Sequence, residues 1–416
     1  MPVTSFASLA IILAIAFFSR LVLGLLPRVR VPGVVIEIVL GIVVGPAVLG
    51  WAKADEPVRL LSTVGVAFLL FLAGLELDVE QLRGQRLRLV SRAFALSLLL
   101  AAGAGYLLKG IGVVSNPLLV AVALTATSLG LVIPVLKEAG AIDSPLGQLV
   151  VAAASLGDFG AVIALSLLFS RDASTTSTRL ILLGVFFLSV AVVAWSVSRG
   201  RRSMRISSVL LRLQDTTAQI RVRAAMLLLI GLAVLAQHTG LETILAAFVA
   251  GAVVSVIDRD EMHTHPLFQV KLEAIGYGFL IPVFFVTSGI RFDLKALTDH
   301  PSVLARVPLF LAALAVVRGL PALLYRSQLG GRQILAAGLL QATSLPFIVT
   351  ATMIGVEIGA LTSANAAALV AAGLLSALLF PVLAVALLRG EMAHDHTASI
   401  GTATSRGPNG RTRSPV

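Results

Sequence analysis

No cysteine occurs among the 416 residues, which excludes disulfides, thiolate metal sites and cysteine nucleophiles. Charge is scarce as well. Only 13% of the residues are Asp, Glu, Lys or Arg, whereas 57% are hydrophobic. Soluble domains carry about 25% charged residues, so this composition excludes an ordinary water-soluble globule and describes a polytopic membrane protein. A glycine-rich phosphate loop is missing, which leaves no sign of ATP hydrolysis or nucleotide gating. No motif has the mechanics of an enzyme active site, and the sequence calls for no cofactor.

What is present is a series of apolar blocks near residues 6–26, 33–50, 58–76, 88–109, 115–136, 146–170 and 178–198. The series continues near 219–238, 240–257, 267–290, 302–325, 332–356 and 360–388. These predict about thirteen transmembrane helices. The first block has a long apolar core ending in Arg20, Pro27 and Arg28, so it reads as a membrane helix rather than a cleaved leader. Residues 391–416 carry Glu391, His394, Asp395 and His396 before a Ser/Thr/Gly/Arg/Pro run, the composition of a disordered cytoplasmic tail. A transmembrane domain over 1–390 and this tail make up the expected organisation.

The net charge of +11 is distributed unevenly. With the N-terminus outside and the spans alternating, most Lys and Arg fall on the cytoplasmic side, densest from Arg199 to Arg223 in one inner connection. That asymmetry predicts an inner C-terminus in a multi-pass cell-membrane protein. It points to anionic lipid, not nucleic acid, as the partner of the basic stripe.

Asp158 is alone among ionisable residues between Leu146 and Phe169. A carboxylate at membrane depth is expensive, and such residues mark ion or proton pathways. Arg318 lies mid-span in Val316-Val317-Arg318-Gly319-Leu320-Pro321, and Glu37 lies inside the second block. A guanidinium cannot shed its proton at ordinary pH, so it needs a partner or water, and Asp158 and Glu37 are the candidate counterions. Glu76 and Asp78 fall at the inner rim, where interfacial solvation accounts for them.

The tetrapeptide Ala-Thr-Ser-Leu occurs once in each half of the chain, at 126–129 and 342–345, with Pro134 and Pro346 close behind. Secondary carriers are built from inverted repeats whose interrupted helices cross near the midplane, where freed backbone groups line a wet cavity. Thr127, Ser128, Thr343 and Ser344 are the expected polar faces at such breaks, against the plainer reading of hydroxyls bonded back to their own helix. A hard cation takes oxygen ligands. Asp158 with Thr127 and Ser128 would hold one, and one carboxylate serving either a proton or a cation couples the two in opposite directions.

Several tracts resemble the monovalent cation:proton antiporter-2 family, part of the sodium/proton exchanger superfamily. They are Pro32-Gly33-Val34-Val35-Ile36-Glu37 followed by Gly41 and Gly45-Pro46; FLLFLAGLELD from Phe68 to Asp78; and Thr125-Ala126-Thr127-Ser128 with Pro134-Val135-Leu136-Lys137-Glu138. Ala247-Phe248-Val249-Ala250-Gly251 and Pro282 to Gly289 (PVFFVTSG) complete the order. The resemblance covers nearly all the membrane region. It implies an all-α fold with inverted repeats and two interrupted crossing helices, a homodimer, and a mobile core that carries the ion in an elevator-like movement. It implies that Asp158 is the essential ion-binding aspartate, holding the transported monovalent cation (Na+ or K+) or H+, and that Arg318 pairs with a membrane carboxylate.

Two positions depart from the family pattern. Gly157 stands where relatives carry Asp, Asn or Gln, and Ser344 where many carry Glu. One carboxylate beside one fixed positive charge predicts electroneutral exchange. The same departures leave open a channel-like or differently coupled carrier on this fold.

Overall fold

The computed structural model describes residues 6–25, 31–76, 84–169, 176–201, 219–239, 241–262 and 267–404. Among them there is no strand. Ten helices are long and apolar enough to cross a membrane, and three shorter apolar helices span Gly33–Val44, Ile181–Val192 and Thr243–Val256. Among the described residues, ten full-length spans stand against the expected thirteen or so, and the all-helical membrane architecture holds without that exact count. Asp78 lies outside the described residues. The last helix runs over Ser363–Thr404, through the first part of the expected tail.

Local sequence fixes where the central helices begin and where they fail. Asn116 caps the helix Pro117–Thr125, its Oδ1 accepting from the Leu119 amide at 3.2 Å, and Pro117 at the first position lacks an amide that would have gone unused anyway. That helix stops at Ala126 and resumes as Leu129–Glu138. The second interruption separates Gly331–Ala342 from Pro346–Glu357. Pro346 has no amide to continue the first segment, and a helix avoids the residue before a proline. The two repeated tetrapeptides therefore mark the two breaks.

The breaks meet. The Ser128 amide donates to the Thr343 carbonyl at 2.9 Å, joining chain segments more than two hundred residues apart. The helix Pro145–Phe169 passes beside this crossing and carries Asp158. Arg306–Leu314, packed on the helix Ser363–Thr404, continues as a π turn over Ala315–Gly319 and a 3-10 stretch over Leu320–Ser327. Pro321 causes a local defect: it has no amide for the Val317 carbonyl, and Ser97 Oγ donates to that carbonyl at 2.8 Å instead.

The helices Glu56–Leu75 and Thr243–Met262 pack backbone to backbone. A Cβ on Gly251 would stand 1.9 Å from the Phe71 carbonyl oxygen, and one on Gly74 2.0 Å from that of Phe248. Small residues at such a crossing let dispersion contacts and weak backbone contacts accumulate where lipid supplies no hydrophobic drive. Gly251→Leu should cost on the order of 3 kcal/mol. The expected result is loss of monodisperse protein in detergent by size exclusion, while leucine at Gly103, where nothing lies within 4 Å, is tolerated. Phe159 stacks on Phe248 at 5.7 Å between ring centres, linking this pair to the Asp158 helix.

Candidate functional site: a carboxylate at crossed broken helices

Asp158 is buried, and its Oδ1 accepts from the Thr127 amide at 3.0 Å. The Leu129 amide also faces it, so the carboxylate stands at the N-terminal end of the half-helix Leu129–Glu138. Ser128, the residue before that half-helix, supplies no side-chain cap, and orphan amides there favour an anion. The preceding half-helix Pro117–Thr125 ends at the same break, where the Thr125 hydroxyl donates to the Val122 carbonyl at 2.8 Å. A buried carboxylate held by backbone amides thus stands where the two broken helices cross, the kind of place at which carriers hold a small cation.

Arg318 is buried close by and donates to oxygens only. Its Nε reaches Thr127 Oγ1 at 3.0 Å and its Nη2 the same oxygen; Nη2 also reaches the Ala153 carbonyl at 3.3 Å, and Nη1 reaches Ser97 Oγ at 3.5 Å. Among the described residues it makes no ion pair with Asp158. Thr127 stands between the two charges, its amide on the carboxylate and its hydroxyl on the guanidinium. The hydroxyl proton goes to the Gln341 carbonyl at 2.7 Å.

The other expected site residues fall as follows. Glu37, one of the two candidate counterions of Arg318, is fully buried and does not meet it: its Oε1 lies 3.4 Å from Arg20 Nε, so Glu37 is corrected to a partner of Arg20. The reason is reach, because the helix Gly33–Val44 packs on Ala7–Leu25 and Ile281–Ile290, away from Arg318. Thr343 Oγ1 bonds back to Leu339 O at 3.1 Å, the plainer reading, while its carbonyl ties the two breaks together. Ser344 has its amide on Ser376 Oγ at 3.2 Å and its own hydroxyl buried without a partner. Ser97, Gln341, Ser376 and the Ala153 carbonyl were not singled out in the sequence. Only Gln341, adjacent to the second tetrapeptide, carried a signal that could have found it.

On the expected inner side, Glu76 ends the helix Glu56–Leu75 half-buried. Desolvation first, then the neighbouring Glu273 carboxylate, push its carboxyl up to about 7 against the opposing pull of Lys137. The fold therefore favours the protonated form. This group's contribution to stability is complete below its ordinary value of 4.5 and is lost as pH rises through about 7. Glu76→Gln should raise the melting temperature at pH 8 by on the order of 2 °C and leave it nearly unchanged at pH 4, measured by scanning fluorimetry.

On the opposite side a cavity of about 470 Å³ opens between Glu56–Leu75, the start of Thr243–Met262 and the half-helix Pro346–Glu357. Thr63, Gln237, Glu242, Thr350 and Glu357 give it a polar lining. It separates the closely packed helix pair from the second broken helix.

Two broken helices crossing at a buried carboxylate, on an all-helical frame with ten membrane-length helices, define the architecture of a secondary carrier. The transmembrane sodium/hydrogen exchanger family matches residues 13–390, and the chain belongs to that family, one of transporters rather than enzymes. It is 29% identical over 398 residues to YjbQ of Bacillus subtilis, covering 91% of this chain and 62% of that longer protein. It is 31% identical over 279 residues to the Na(+)/H(+)-K(+) antiporter GerN of Bacillus cereus, covering 65% of this chain and 67% of that protein. The sodium proton antiporter MjNhaP1 from Methanocaldococcus jannaschii shares the fold, with a TM-score of 0.59 at 16% identity over 92% of this chain and 98% of that one.

Proposed function

We propose that the protein is a secondary antiporter that exchanges Na+ or K+ for H+, with Asp158 binding either ion in turn. The observation that carries this reading is the state of Asp158: buried at the crossing, held by backbone amides, and not consumed by an ion pair. Ser128 is the further oxygen ligand of this reading, and Thr127 contributes by holding the carboxylate with its backbone amide. One carboxylate exchanging one proton for one monovalent cation moves no net charge, so transport is electroneutral. Alternating access is elevator-like, the broken-helix core moving against the tightly packed helices along the 470 Å³ cavity. Residues 1–390 do this work as a homodimer in lipid, the N-terminus outside and the 391–416 tail in the cytoplasm.

GerN, by its name, exchanges both Na+ and K+, which supports a monovalent cation without choosing one. A channel-like or differently coupled carrier is the second reading, favoured by the bare backbone at Gly157 and the small Ser344 in the second break. Proteoliposomes separate the two. Proton flux driven by Na+, K+ or Li+ gradients, followed with a pH dye over a pH series, should persist when the membrane potential is clamped at zero. Current without coupled proton movement would support the channel.

A further inference from the structure

Glycine inside a helix is unfavourable, yet Gly157 immediately precedes Asp158 in the middle of Pro145–Phe169. The structure gives the reason. A Cβ at this position would lie 2.6 Å from Arg318 Nη2, 3.1 Å from Cζ and 3.3 Å from Nη1. The guanidinium lies against bare backbone, in a slot that any side chain would fill. From that slot Nη2 reaches the Ala153 carbonyl and the Thr127 hydroxyl. That hydroxyl is saturated: its proton is given to Gln341 and its lone pairs take Nε and Nη2. It has no capacity left to ligate a transported ion.

We propose that Gly157 and Thr127 are positioning residues that hold the Arg318 guanidinium beside Asp158 but off its carboxylate. The arginine then offsets the carboxylate's charge at short range without occupying the oxygens that the proton and the cation share. Ser97 and the Ala153 carbonyl fix the far side of the fork, so the guanidinium has hydrogen-bond partners for several nitrogens and no need of a carboxylate. Remove either the slot or the hydroxyl, and the nearest acceptor with a full charge is Asp158.

This inference rests on the reading of Asp158 as the exchange site, and the test separates the two. The nearest atoms to a Gly157→Ala Cβ belong to the far end of a flexible side chain, and alanine is a better helix former than glycine, so the variant is expected to fold. In proteoliposomes its KM for the cation should rise about tenfold, because a guanidinium on the carboxylate competes with the cation. The pH profile of exchange should move to lower pH by about one unit, because that guanidinium also weakens the proton's competition. Thr127→Val should shift both readouts in the same direction, and Thr127→Ser should restore them. In an Arg318→Met background, Gly157→Ala should have no further effect.

A wild-type KM and pH profile in Gly157→Ala, an alkaline shift, or an equal effect with and without Arg318 would overturn the positioning role. If Asp158→Asn retained exchange, the exchange-site reading itself would fail, whatever the Gly157 variants did.

Discussion

Asp158→Asn should abolish cation-driven proton flux in proteoliposomes, down to the level of protein-free vesicles, while the protein still elutes as a folded species in detergent. Asparagine keeps the shape and one acceptor oxygen for the Thr127 amide, so the crossing is preserved. It cannot take up a proton or present a full negative charge, and those are the two properties the proposed exchange requires. The amide also relieves a buried carboxyl group of its desolvation cost, so thermal stability should hold or rise. Retention of flux in this variant would remove Asp158 from the transport cycle.

The second large effect concerns Arg318. Arg318→Met fills a similar volume without charge, and the carboxyl group it leaves behind can be neutralised by taking up a proton. Its oxygen partners are backbone carbonyls or hydroxyls that retain other bonds: Thr127 Oγ1 keeps Gln341, and Ser97 Oγ keeps Val317. The expected phenotype is therefore in the titration of exchange rather than in folding. Without the nearby positive charge the proton holds Asp158 more firmly, and the pH profile of exchange should move to higher pH by about one unit. This shift is opposite in sign to that expected for Gly157→Ala. Removing the arginine and pushing it onto the carboxylate should bracket the wild-type profile from both sides. Unchanged profiles in Arg318→Met would mean that the two groups are electrostatically independent.

Much of this frame was legible in the chain. Each repeated Ala-Thr-Ser-Leu coincides with a helix break, because a proline or a Ser/Thr pair at a fixed place states locally that a helix cannot continue. Asp158 stood out because a lone carboxylate in a long apolar run has few structural explanations. The partners of Arg318 were not legible. They come from the helices near residues 97 and 153 and from the first break at residue 127, and which of them it meets depends on how these segments cross, a property without local sequence signature. Glu37 drew attention for the same reason as Asp158, yet it belongs to a different pair of helices and meets Arg20. Gly157 could be read only as an absence until the guanidinium was seen lying on it. The span count was harder still, since Gly33–Val44 is apolar apart from Glu37 but short.

Competition at one carboxylate has a direct kinetic signature. The decisive measurement is the apparent KM for the cation across a pH series in proteoliposomes, with the maximal rate recorded at each pH. A shared site predicts that KM rises about tenfold for each unit of acidification below the range where the carboxylate is free, with the saturated rate unchanged. A KM that stays flat while the maximal rate falls would contradict it, placing proton and cation on separate groups.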